Sequence, residues 1–134
     1  MKLIGTLLII TGCFVAIDAL WLGLVAPGFY KKYMGGLMTD KPNLLAAALF
    51  YVIFIAGLQY FVLRPLAATG QLLTIFLTGA FFGLVTYATY DLTNLATLKN
   101  WPLTVTVVDL VWGTILSGSV STIATLVLRN LKLV

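Results

Sequence analysis

The sequence predicts an all-α fold, a polytopic membrane protein built as a four-transmembrane-helix bundle. Three observations carry this. Of the 134 residues, 61% are hydrophobic and 9% are charged, whereas a soluble domain carries about 45–50% apolar and about 25% charged residues. The mean hydropathy of +1.09 goes with too little polar surface to cover a water-soluble globule. Four apolar runs have the length of a bilayer crossing, about 20 residues each. The four prolines, Pro27, Pro42, Pro65 and Pro102, all fall at run ends, where a residue that lacks an N–H and clashes inside a helix is tolerated. The chain is expected to be one integral membrane domain over residues 1–134, with no linker or low-complexity tract.

The first run, residues 3–26, follows a single Lys2 and carries Asp18 and Trp21 near its end. The apolar region of a signal peptide is about 7–15 residues long, so this longer run reads as a retained first helix. The second run covers 44–63, the third 71–91 and the fourth 103–128. Pro42 and Pro102 sit where a first helical turn accepts proline, and Pro27 and Pro65 sit just past ends. No water reaches the hydrocarbon core, so each run must satisfy its own backbone and is a helix. The alternating segments of about ten residues that mark an outer-membrane barrel are absent. The longest connection, 27–43, places Phe29, Tyr30 and Tyr33 beside Lys31 and Lys32. That mixture suits the headgroup region, and part of it is expected to lie on the membrane as a short helix.

The net charge is +4, but the basic residues are scattered over helix ends. They form no stripe for nucleic acid, which is not an expected partner. Lys2, Arg64, Arg129 and Lys132 share the side of the termini, and Lys31, Lys32, Lys41 and Lys99 the other. With four on each side, the positive-inside rule favours neither orientation. The termini are expected in the cytoplasm, and insertion in both orientations stays open. There is no His and no Glu, and the one cysteine is Cys13. Those absences exclude a His-ligated haem, a zinc site of His or several Cys, an iron–sulfur cluster, a Ser-His-Asp triad and an intramolecular disulfide. No cofactor is identified, and no catalytic residue is assigned.

Three of the four acidic residues lie in spans. Asp40 is in the first connection, but Asp18, Asp91 and Asp109 fall in the first, third and fourth runs. A charge at a helix centre costs about 2.5–3.5 kcal/mol on insertion scales, so such residues face protein or water and often mark function. Asp18 is roughly 12 Å before the end of its helix and Asp109 a similar distance into its own, by the helical rise. Because the two helices run in opposite directions, both carboxylates sit in the half opposite the termini, and Asp91 is expected to end the third helix on that side. The first and fourth spans share a D-x-x-W spacing, Asp18 with Trp21 and Asp109 with Trp112, which puts each Trp one turn from its Asp. Tyr87, Asp91 and Asn94 form a stripe on the third helix, with Tyr90 and Trp101 nearby. The candidate ligand-binding set is therefore Asp18, Trp21, Tyr87, Tyr90, Asp91, Asn94, Trp101, Asp109 and Trp112. The bland alternative is that these groups only hydrogen-bond one another and lock the bundle.

Gly79 and Gly83 form a GxxxG motif in the third span, and Gly113 begins a small-residue face in the fourth with Ser117, Gly118 and Ser119. Both are helix-packing signals. Cys13 reads as a core residue, and Phe50, Tyr51, Phe54, Tyr60 and Phe61 as packing or lipid-facing residues.

Several stretches taken together resemble a known family. They are Asp18-Ala-Leu-Trp21-Leu-Gly23, Phe29-Tyr30, Gly36-Leu37-Met38 and Pro42-Asn43 with Phe50-Tyr51. The most specific is Phe82-Gly83 through Tyr87-Ala-Thr-Tyr90-Asp91-Leu-Thr-Asn94-Leu-Ala-Thr97, continuing to Trp101-Pro102 and Asp109-Leu-Val-Trp112-Gly113. The chain is similar over nearly its whole length to a family of short four-span bacterial membrane proteins catalogued as a domain of unknown function. The resemblance implies a multi-pass protein of the bacterial cytoplasmic (inner) membrane and a signature formed by Asp18, Trp21, Tyr90, Asp91, Asn94, Trp101, Asp109 and Trp112. It implies no activity.

Three functional readings follow. The first is a protein that binds a small molecule or lipid in a polar intramembrane pocket lined by Asp18, Asp91 and Asp109. Four spans are few for a carrier, so a homodimer is expected, with the GxxxG face as a candidate contact. The second is a structural or assembly subunit of a larger membrane complex, in which the carboxylates only pin the bundle. The third is a lipid-modifying enzyme using Asp as base or nucleophile, with magnesium or manganese on the three carboxylates. The thin repertoire of catalytic side chains disfavours it.

Overall fold

The computed structural model describes residues 2–134, and among them every regular element is helical. The elements are α1 (Lys2–Leu24), α2 (Ala26–Met34), α3 (Leu44–Leu66), α4 (Leu72–Thr97) and α5 (Leu103–Asn130), with a tight turn at Gly35–Leu37 after α2. Helices α1, α3, α4 and α5 are each long and apolar enough to cross a membrane. The protein is thus a multi-pass membrane protein with four candidate spans. α5 is the centre of the bundle, with 44% of its most apolar window buried against 22% for each of the others. The core joins Ile10 and Phe14 of α1 and Phe54, Leu58 and Val62 of α3 to Leu116, Val120 and Leu128 of α5.

The chain departs from the sequence-based expectation at several helix ends. α1 stops at Leu24, two residues early, because Pro27 has no N–H to donate to the Gly23 carbonyl. The chain bends at Val25 (φ −113°, ψ −51°) and α2 begins with Pro27 in its first turn. The Phe29 N–H returns to the Val25 carbonyl at 3.1 Å, so the joint is a kink between helices and not a free loop.

The second span runs on past Leu63 to Leu66, so Pro65 lies inside it. A wide π turn at Gln59–Leu63 lets the helix pass the proline, with the Arg64 N–H reaching back to the Gln59 carbonyl. The span opens on Asn43, whose side chain accepts the Ala46 N–H at 3.1 Å as an N-cap.

The third span starts one residue late, at Leu72, and runs six residues beyond Asp91 to Thr97. The polar stretch stays helical because Thr89, Thr93 and Thr97 donate their hydroxyls to the carbonyls one turn back, at 2.7, 2.5 and 2.7 Å. Asp91 therefore lies inside α4 and not at its end. A turn with Asn100 in the left-handed region (φ 61°) and an extended Pro102 then starts α5, which ends at Asn130 and not at 128. There the Leu133 N–H bonds the Leu128 carbonyl at 2.9 Å and the Lys132 N–H bonds the Arg129 carbonyl at 3.1 Å, with Lys132 left-handed (φ 55°). That is a Schellman cap.

Neighbouring helices run antiparallel. Gly5 of α1 approaches Leu133 beyond the end of α5, while Trp21 meets Trp112 near the other end. At the end that holds the termini, Arg129 donates to the Ala67 carbonyl (2.7 Å) and the Gly70 carbonyl (2.6 Å), satisfying backbone acceptors of the connection after α3.

Candidate functional site

The site grows out of the α4–α5 seam. A Cβ on Gly79 would come within 2.8 Å of the Ser117 carbonyl, and one on Gly83 would run into the Gly113 carbonyl and the Ser117 side chain. Without a hydrophobic drive between helices in lipid, such close backbone approach is what van der Waals packing needs. The same stripe continues to Tyr87, whose ring lies where a Gly113 side chain would be. Gly79, Gly83, Tyr87 and Asp91 recur every fourth residue on α4, against Ser121, Ser117, Gly113 and Asp109 on α5. Continuing the register one step past Tyr87 brings Asp91 opposite Asp109. Here the close seam gives way to a cavity of about 290 Å³ lined by Phe50, Thr86, Tyr87, Tyr90, Asp91 and Asp109.

The two carboxylates differ. Asp109 accepts a 2.5 Å hydrogen bond from the Tyr30 hydroxyl, 79 residues away in α2. Burial and the Asp109 carboxylate push the Tyr30 phenol well above its ordinary range. Asp91 is fully buried, and neither of its oxygens has a hydrogen-bond partner. A buried carboxylate in that state is unstable by several kcal/mol unless a proton or a cation joins it. No Lys or Arg lines the cavity.

Asp18 is buried but does not line this cavity. It accepts a 2.9 Å hydrogen bond from the Tyr51 hydroxyl of α3. Among the described residues no three His, Cys, Asp or Glu side chains gather closely enough for a metal ion. Asp91 and Asp109 thus share one cavity, while Asp18, expected in the same pocket, is engaged separately by Tyr51. Tyr87 lines the cavity beside Asp91 and Asp109.

The remaining candidates divide. Trp21 and Trp112 stack across α1 and α5, with centroids 4.6 Å apart and planes 13° apart. Trp101 packs edge-on against Tyr90 at 5.8 Å and donates its Nε1–H to the Thr106 hydroxyl at 3.0 Å, buttressing the cavity wall from behind. Asn94 lies beyond Asp91 and outside the lining. The GxxxG face is buried against α5 of the same chain, so it is not a free dimer contact. Sequence reasoning missed Tyr30, Tyr51, Phe50 and Thr86. Tyr51 and Phe50 read as packing aromatics and Tyr30 as a headgroup residue; the signal for Tyr30 was Pro27 three residues earlier, which starts a new helix.

Comparison with curated proteins gives no match, and comparison with solved structures gives none. A family model described as "Predicted membrane protein (DUF2177)" matches residues 3–126, from the first turn of α1 to the last turns of α5. The match takes in both D-x-x-W motifs, the α4 stripe and every residue of the cavity. The chain belongs to this family of membrane proteins of unknown function.

Proposed function

We propose that the protein binds a small molecule or lipid headgroup carrying an ammonium group in the Asp91–Asp109 cavity. The observation that carries this is Asp91, fully buried and without a partner on either oxygen. Phe50, Tyr87 and Tyr90 add aromatic faces, and aromatic faces attract cations. The volume of about 290 Å³ falls just below the range of small-ligand sites, about 300–1,000 Å³, which suits a small headgroup. Residues 44–50 of α3 are exposed on every side, which leaves Phe50 as a loose lateral wall open to lipid. We place the protein in a bacterial cytoplasmic membrane with its termini in the cytoplasm.

The test is calorimetric titration of ethanolamine and of tetramethylammonium into the full chain in mild detergent. Saturable binding that weakens at least about thirtyfold in Asp91→Asn, as expected for loss of one partner of a buried charge pair, and persists in Asp18→Asn supports the reading. Equal binding by Asp91→Asn and wild type overturns it, as does no binding of either amine by the wild type.

The same exposed start of α3 favours a second reading, a docking face for another subunit or a second copy. Stable co-purification of a stoichiometric partner, lost on charge insertion at Leu45 and kept in Asp91→Asn, supports that reading over the first.

A further inference from the structure

A second pair of cavities lies at the opposite end of the bundle, between α1 and α3. One, of about 350 Å³, is lined by Lys2, Thr6, Gln59, Arg64 and residues 133–134 among others. The other, of about 490 Å³, is lined by Leu3, Leu7, Ala56, Gln59, Tyr60 and Arg64. They share Leu3, Gln59 and Arg64, so they form one groove with a cationic mouth and an apolar channel. All four acidic side chains of the protein lie elsewhere: Asp40 in the connection before α3, and Asp18, Asp91 and Asp109 in the far halves of their helices. Among the described residues, the side chains that line the mouth include two cationic ones and no acidic one.

The backbone explains why the groove is there. The π turn at Gln59–Leu63 widens α3 at residues that line the groove, and such turns occur often at functional sites. It sets Gln59 into the groove with its amide oxygen enclosed and unpartnered. Arg64 is carried one turn further and rests over the Tyr60 ring at 5.4 Å, which holds the guanidinium beside the groove. Guanidinium and ammonium together suit a phosphate oxyanion. The Gln59 amide suits a hydroxyl next to that phosphate, and the channel along Leu7, Ala56 and Tyr60 suits an acyl chain.

We propose that this groove binds an anionic phospholipid with a hydroxylated headgroup, its phosphate at Lys2 and Arg64, its headgroup hydroxyl at Gln59 and an acyl chain between α1 and α3. The site is separate from the Asp91–Asp109 cavity and carries the opposite charge preference.

Native mass spectrometry of the full chain in mild detergent tests it, with phosphatidylglycerol, phosphatidylcholine or inorganic phosphate added in turn. The expected result is retained phosphatidylglycerol, with little phosphatidylcholine and no inorganic phosphate. Retention should fall about fivefold for each of Lys2→Gln and Arg64→Gln, the effect of one cation at a membrane surface. It should also fall in Gln59→Leu, which changes no charge, and stay at the wild-type level in Lys31→Gln and Lys32→Gln at the other end. Equal retention of the two lipids, retention of inorganic phosphate in place of lipid, or the same loss from Lys31→Gln as from Lys2→Gln overturns the proposal. Lys2 is exposed at the start of α1, so its variant keeps the test open even if a change in the π turn disturbs folding.

Discussion

Tyr30 holds Asp109 from outside the spans: its hydroxyl donates to the Asp109 carboxylate at 2.5 Å and ties α2 back onto α5. The kink at Val25–Pro27 makes this reach available. Asp91, which shares the cavity with Asp109, has no such donor. One carboxylate has an internal donor and the other has none, and in the function proposed above Asp91 is the one that meets the ammonium group.

Replacing Tyr30 by Phe removes that donor and leaves Asp109 exposed to the full penalty of an unmade hydrogen bond. The expected loss of stability is about 1–3 kcal/mol, read from the midpoint of denaturant unfolding in micelles, with faster proteolysis within Ala26–Met34. The pH dependence has a definite sign. The folded-state phenol is raised above its ordinary value of 10.0, so its contribution is fully present below about pH 10 and is lost as pH climbs above that. Wild-type stability should fall in that alkaline window more steeply than that of Tyr30→Phe. Parallel curves would show that the Tyr30–Asp109 bond carries no linkage.

The glycines of the seam make a sharper comparison. Gly83→Ala places a methyl against the Gly113 carbonyl and the Ser117 side chain, while Gly12 has nothing within 4 Å of an added Cβ. Overpacking costs about 1–3 kcal/mol, whereas an open helical glycine gains up to about 1 kcal/mol on becoming alanine. The two variants should shift the unfolding midpoint in opposite directions. The same sign for both would mean that the α4–α5 approach is looser than its register implies.

The spans were legible because bilayer thickness and the avoidance of internal proline constrain composition directly. Position along the helix was legible for Asp18 and Asp109, whose helices have clear apolar ends. It failed for Asp91, because Thr89, Thr93 and Thr97 keep a polar-looking stretch helical through their own backbone bonds. The stripe of Tyr87 and Asp91 was visible, but not the helix it faces, since the match of Gly83 to Ser117 depends on the packing of two helices. Pro65 misled for a related reason: a π turn absorbs the missing donor, and nothing local in Gln59–Leu63 announces it. The Tyr30–Asp109 bond depends on a kink angle, which spacing alone does not encode.

The repeated D-x-x-W spacing has a structural outcome. Trp21 and Trp112 stack, and each neighbouring Asp accepts from a tyrosine of another element. In a double-mutant cycle with Trp21→Leu and Trp112→Leu the coupling energy should be about 0.5–1.5 kcal/mol, the range for aromatic pairs. Additive effects of the two substitutions would show that the stack contributes area and no specific pairing.

Arg129 supplies the last prediction. Its guanidinium reaches two carbonyls, Ala67 and Gly70, through Nε and Nη2, and Ala67 is 1% exposed. A buried carbonyl that loses its donor in a membrane protein has no water to replace it. Arg129→Gln shortens the reach and removes the charge, so both bonds are lost, and hydrogen bonds to charged groups contribute about 1.5–3 kcal/mol each. Arg129→Lys keeps the charge but offers a single ammonium in place of the planar fork, so it should recover only part of the loss. Unfolding midpoints should therefore rank wild type above Arg129→Lys above Arg129→Gln, with hydrogen exchange rising at residues 67–72 in the same order. Full recovery by lysine would reduce the interaction to charge at a helix end. No loss in either variant would mean that the α3–α4 connection is held by the packing of Ala67 and Ile75 and not by the guanidinium.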